Sequence, residues 1–219
     1  MKMTFAALIA VSFLASPAAA HEVWIERDGT GPARIYLGEP ADLVPEAGDP
    51  EFPNLKAPAV FQADRAKPAT LARRTNHIEA AVTGTGDVRL ADDNVFAPWE
   101  GEGGKWEGVV YYARAGRSET GTKLDFEIAP TAPDADSFVV TWLGKPLAGA
   151  KVTVINADRW QKSFTADAQG RIDVPVTAPG RYLVSASHTI DGDRALGGKQ
   201  VSKTINVTTL TFVEPSSRP

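Results

Sequence analysis

The stretch SFVVTWLGKPLAGAKVTVI, residues 137–155, decides the fold class. Ser137–Leu143 alternates apolar and polar residues with the two-residue period of a strand. Lys145-Pro146-Leu147-Ala148-Gly149 then reads as a turn, with Gly149 supplying turn geometry, and Ala150–Ile155 as a second strand. The same grammar continues outward. Ser163-Phe164-Thr165 leads into the turn Asp167-Ala168-Gln169-Gly170, followed by a strand at Arg171–Val176. Pro179-Gly180 turns into Arg181–Thr189, and Thr208–Val213 closes the segment. Short strands spaced by turn signals at intervals of roughly 8–12 residues predict a small sandwich.

Upstream the pattern is looser but of the same kind. Helical periodicity is nearly absent. Runs rich in Val, Ile, Tyr, Phe and Thr predict strands near Glu22–Ile25, Ala33–Leu37, Ala59–Ala63, Ile78–Val82, Val88–Ala91, Gly108–Arg114 and Lys123–Ile128. Residues 38–56 read as a long Pro-rich surface loop carrying Glu39, Asp42, Glu46, Asp49 and Glu51. It lacks the regular spacing of a calcium loop, so the carboxylates read as solvated. Residues 92–107 read as a second loop. Composition shifts at residues 130–136, a Pro- and Asp-rich joint. The expected organisation is a signal peptide over 1–20, an N-terminal antiparallel β region over 21–129, and a C-terminal β-sandwich over 130–219. The fold class is all-β.

The first twenty residues have the plan of a secretory signal peptide: Lys2, an apolar run from Phe5 to Leu14, and small residues from Ser16 to Ala20. Cleavage after Ala20 makes His21 the mature N-terminus. Cleavage after Ala18 leaves Ala19 and Ala20 ahead of it. Either way the mature chain is expected in the periplasm or secreted. It contains no apolar run long enough for a transmembrane segment. Removing Lys2 takes the formal net charge from −4 to about −5, which disfavours nucleic acid as a partner. Cysteine is absent, and both methionines, Met1 and Met3, lie in the signal segment. The mature protein therefore has no sulfur ligand. A bound metal would be held by nitrogen and oxygen, which favours Cu(II), Ni(II), Co(II) or Zn(II) over Cu(I).

Two resemblances attach to these motifs. Residues 144–154, the Thr165–Arg171 turn and Pro179-Gly180-Arg181-Tyr182 resemble the prealbumin-like modules of carboxypeptidase regulatory and collagen-adhesin repeat domains. The Ala20-His21-Glu22-Val23-Trp24-Ile25 start, the Gly144–Ala150 turn, and Ser185-Ala186-Ser187-His188-Thr189 with Thr209-Leu210-Thr211-Phe212 resemble a secreted bacterial family. That family is described as periplasmic components of nickel/cobalt uptake. The second resemblance implies a metal ion as cargo and a membrane metal transporter as receiving partner.

Only three histidines exist: His21, His77 and His188. A mature N-terminal histidine carries an α-amine and an imidazole on one residue, and with a second histidine it resembles the histidine brace of periplasmic copper-resistance carriers and lytic polysaccharide monooxygenases. His188 reads as a strand-end residue beside a polar loop at Ile190–Lys199, and is the expected second ligand. His77, in a polar stretch, is a third candidate. The donor chemistry leans to copper and the resemblance to nickel or cobalt. No nucleophile elbow, zincin motif or phosphate loop is present, so no catalytic residue is expected and the protein reads as non-enzymatic. The Glu22 and Glu26 pair flanking Trp24 reads as solvated. Among the tryptophans, Trp24 and Trp142 read as core and Trp160 as a plug at the sandwich end. The expected function is capture or delivery of a divalent transition metal. The alternative is a binding or adhesion module for glycan or protein, and the third reading is a copper monooxygenase.

Overall fold

Residues 106–115, WEGVVYYARA, are buried at almost every position from Gly108 on. A strand reads this way only when both of its faces are covered. That property organises the whole molecule. The computed structural model describes residues 21–216, so the expected signal peptide lies outside the described residues.

The N-terminal strands are β1 (Glu22–Glu26), β2 (Ala33–Gly38), β3 (Ala59–Phe61), β4 (Leu71–Arg73), β5 (Ile78–Ala80), β6 (Val88–Asp92), β7 (Trp99–Glu100) and β8 (Trp106–Ala115). The remainder are β9 (Phe126–Pro130), β10 (Ser137–Trp142), β11 (Lys145–Pro146), β12 (Lys151–Ile155), β13 (Gln161–Thr165), β14 (Arg171–Asp173), β15 (Gly180–Leu196) and β16 (Lys199–Glu214). The chain is all-β, with two short 3-10 turns at Phe52–Asn54 and Glu102–Gly104. Among the described residues, no helix is long and apolar enough to cross a membrane.

Three layers result. The middle layer is one large sheet in the order β13-β12-β15-β16-β8-β6-β3, with β7 on β8. It takes strands from both sides of residue 130. Its centre is a parallel pair, β16 with β8, in the register Ile205↔Val109 and Thr209↔Ala113. On one face lies the sheet β1-β2-β5-β4. On the other lie β9, β10, β11 and β14, paired around β10. Alternation along β8 feeds both cores. Val109 and Tyr111 pack with Val23, Ile25, Ile35 and Ile78, while Val110 and Tyr112 pack with Phe126, Phe138, Val184 and Leu210. The joint expected at residues 130–136 is the connection between β9 and β10, which pair directly as Phe138↔Pro130.

Several local expectations change. The supposed polar loop at Ile190–Lys199 is the outer half of a long hairpin, β15 with β16, running to the turn Gly197-Gly198 and bulged between Asp191 and Arg194. His188 therefore sits inside a strand, not at its end. The 92–107 loop contains β7, which pairs Trp99 with Glu107. Trp24 is buried and Trp142 packs on the sandwich core, but Trp160 is 57% exposed and plugs nothing. It follows Arg159, held at φ 64°, in a turn whose backbone N–H groups at Asp158 and Trp160 donate to the Asn156 side chain.

Between the middle layer and β9 sits a buried ionic knot. Glu127 Oε1 accepts from Arg89 Nε (2.7 Å) and Arg114 Nη1 (2.9 Å), and its Oε2 accepts from the backbone N–H groups of Lys123 and Leu124 (2.6 and 2.9 Å). Arg114 also grips Asp87 at 2.5 Å, and Arg89 reaches Glu119 at 3.1 Å. Each charge in it is matched, as burial demands.

Candidate metal-binding site at the N-terminal histidine

β1 enters its sheet at once, pairing Glu22 with Gly38. This places His21 at the mouth of the 38–56 loop. The His21 carbonyl accepts a hydrogen bond from the Tyr111 hydroxyl at 3.1 Å, fixing the backbone there. The loop folds back so that Asp49 Oδ1 lies 3.2 Å from His21 Nε2, with each side chain only 15% exposed. Asp49 is itself held, since its Oδ1 accepts the Glu51 N–H at 2.7 Å. Gly38 permits the approach: a Cβ there would come within 3.1 Å of Asp49 Oδ2. The loop reading of solvated carboxylates thus needs correcting at Asp49, which contacts the first residue of the fold. The signal that could have found it is slight: Gly38 and Asp49 bracket an acidic loop and face the chain start only in three dimensions.

Glu22 overturns a second expectation. Its carboxyl is not solvated. Oε1 accepts from Ser185 Oγ at 2.5 Å, while Oε2 is buried and has no hydrogen-bond partner among the described residues. Burial pushes this carboxyl up to about 7, against the smaller opposing effect of the Ser185 hydroxyl. Burial, and then the Glu22 charge, raise the Tyr111 hydroxyl as well.

The three histidines are distributed over different layers. His77, just before β5, ends an aromatic ladder that starts on β1 and β2. Trp24 stacks on Tyr36 at 5.3 Å, and Tyr36 meets the His77 ring at 5.4 Å. His77 Nδ1 lies 2.8 Å from Asn76 Oδ1, and its Nε2 is buried 3.7 Å from Glu79 Oε1. The His21 loop touches this neighbourhood, since Asn76 Nδ2 donates to Pro45 O at 3.2 Å.

His188 is elsewhere. On β15, Ser185 faces Glu22 of the N-terminal layer, whereas Val184 and Ala186 face the sandwich core. Alternation puts His188 on the core side, and its ring lies 5.2 Å from Trp142 and 6.0 Å from Phe126. Burial lowers its pKa. The middle sheet therefore stands between His188 and His21, and the expected pairing of these two as a brace does not form. Among the described residues, no group of three or more His, Asp or Glu side chains is arranged to hold a metal ion.

A family model described as a domain of unknown function, DUF4198, matches residues 109–190. The matched span runs from within β8 to within β15, and so includes Tyr111 and His188 but neither His21 nor His77. No curated protein and no solved structure matches the chain.

Proposed function

We propose that this protein is a non-enzymatic periplasmic carrier of a divalent transition-metal ion, Cu(II) or Ni(II)/Co(II), which it captures at His21 once the signal segment is removed. The observation that carries this reading is the 3.2 Å contact of His21 Nε2 with Asp49 Oδ1. An N-terminal histidine chelates through its α-amine and Nδ1. A carboxylate on the opposite ring nitrogen orients the imidazole, selects the tautomer that exposes Nδ1 to metal, and raises its basicity. Asp49 has that position. In this reading Asp49 is a positioning residue, His188 takes no part, and His77 lies near enough to the loop to tune it. Two nitrogens on one rigid residue leave the remaining coordination positions to water or to a receiving transporter, which suits a cargo that must be handed on. The amine, with a pKa near ~8, releases its proton to solvent on binding the metal at small cost at neutral pH.

The test compares three proteins whose first residue is fixed by mass spectrometry: the form beginning at His21, the same form extended by two alanines, and the Asp49→Asn variant. Each is titrated with Cu(II), Ni(II) and Co(II). The expected result is tight binding by the first, loss of at least about 100-fold on extension, and a 10–100-fold loss for Asp49→Asn. His188→Ala should bind like the parent. Equal binding by the extended form, or binding weaker than about 1 mM by every form, overturns the reading. A second reading, a binding module for glycan or protein, draws on the exposed Trp160 in its braced turn. It is favoured instead if alanine extension leaves function intact while Trp160→Ala abolishes it.

A further inference from the structure

A cavity of about 740 Å³ opens at the opposite end of β1 from His21, between the turn after β1, the turn before β6, and the end of β16. Its charges are mostly spoken for. Arg117 is paired with Asp136 and, at 2.5 Å, with Glu214, and lies over the Phe212 ring at 4.3 Å. Arg181 is paired with Asp28 at 2.6 Å. Asp87 is held by Arg114. Asp134 lines the cavity too, and is exposed to water.

Arg27 differs from all of these. Its guanidinium donates to three backbone carbonyls, Gly31 O at 3.0 Å, Gly86 O at 2.9 Å and Gly84 O at 2.6 Å. Among the described residues no carboxylate lies in ion-pair range of it. Neutral carbonyls orient the fork but do not cancel its charge, and part of the donor fork remains uncommitted. Burial accordingly lowers its pKa. The guanidinium is only partly withdrawn from water, and an anion at its uncommitted donors gains charge-assisted hydrogen bonds. Around Arg27 the cavity offers the Thr30 and Thr85 side chains and the glycine-bearing backbone of Gly29 and Gly86. Its other wall is apolar, formed by Ala115, Val213 and Pro215. A concave site with an apolar wall and one oriented cation fits an amphipathic organic anion.

We propose that this cavity binds a small carboxylate with an apolar body, its carboxylate on Arg27 and its hydrocarbon against Val213 and Pro215. The site is independent of the proposed metal site.

Octanoate, octanol and octylamine, which share one chain and differ in head group, are titrated into the mature protein and followed by backbone amide NMR shifts. Octanoate is expected to bind at about 1 mM, moving the Thr85 and Gly86 amides, with octanol at least ten-fold weaker and octylamine weaker still. Arg27→Gln should remove the preference for octanoate over octanol, and Arg27→Lys should restore part of it. Should Arg27→Gln not fold, Val213→Trp supplies the second reading. Val213 lines the cavity and is 44% exposed, so a larger ring there should take up cavity space, and octanoate binding should fall at least ten-fold. Equal affinity for octanoate and octanol, tighter binding of octylamine, no shifts at about 10 mM octanoate, or undiminished binding by Val213→Trp each overturns the proposal.

Discussion

Replacing Glu127 by glutamine keeps the shape of the side chain and removes one charge from the centre of the ionic knot. Both carboxylate oxygens of Glu127 are fully buried and fully used, one by two arginines and the other by two backbone N–H groups. An amide has one acceptor oxygen, so its NH₂ must face either the two guanidinium groups or the two backbone donors. A donor-against-donor contact is unavoidable. Arg114 keeps Asp87, but Arg89 is left with Glu119, which is 34% exposed and correspondingly screened. Breaking a buried ion pair from one side costs about 3–5 kcal/mol. That is a large share of the roughly 5–15 kcal/mol that holds a domain together. For a chain of this size it lowers Tm by about 6–20 °C. Urea unfolding followed by tryptophan fluorescence measures the change in midpoint, provided the slope m is unchanged. Glu119→Gln is the internal control and should lose no more than about 1 kcal/mol, as a partly exposed pair does. A loss under about 1 kcal/mol for Glu127→Gln, or equal losses for the two variants, would refute the idea that this carboxylate neutralises both arginines.

Two further outcomes complement the metal and carboxylate titrations. The Glu22 carboxyl is held up near 7 in the fold against an ordinary value of 4.5, so between those values the folded state binds the proton that the unfolded state has released. Stability of the chelator-treated protein should therefore fall as pH rises from about 4.5 through 7, by up to about 3 kcal/mol, and Glu22→Gln should flatten that slope. Gly170 sits at φ 70°, and a Cβ there would come within 2.8 Å of Val140 O. Gly170→Ala should destabilise by more than about 1 kcal/mol in a thermal scan, and a neutral result would mean the turn can rearrange.

The all-β class and most central strands are legible because alternation and turn residues report them directly. The outer half of the β15–β16 hairpin is not, since a ribbon paired through backbone hydrogen bonds needs no apolar face. Ile190, Asp191, Gly192 and Asp193 consequently read as loop. The wrong partner for His21 was readable in principle. Ser185 and His188 are three apart on one strand, so they face opposite ways, and only the packing of β1 against Ser185 was needed to exclude His188. Glu22 shares a face with Trp24, and the burial of one implied shelter for the other. Arg89, Arg114 and Glu127 could not be matched from sequence, because strand alternation says which residues share a face but not that two polar faces meet inside. The same gap hid Arg27, which among the described residues has no carboxylate in ion-pair range, something no sequence pattern records.

The parallel pairing of β16 with β8 has a bearing on how the molecule comes into being. Lys199–Glu214, almost the last residues of the described chain, lie between β15 and β8 and join a neighbouring strand to one from the middle of the sequence. Until they arrive, β8 has an open edge where β16 will pair, and both cores lack side chains that β16 supplies, Val207 to one and Leu210 and Phe212 to the other. The middle layer therefore cannot close before Lys199–Glu214 have been made. Its assembly waits on contacts between residues about a hundred positions apart, the arrangement that makes β proteins slow to fold. A chain stopped short of Lys199 would expose a long unpaired apolar edge and should aggregate rather than persist as a smaller version of the protein.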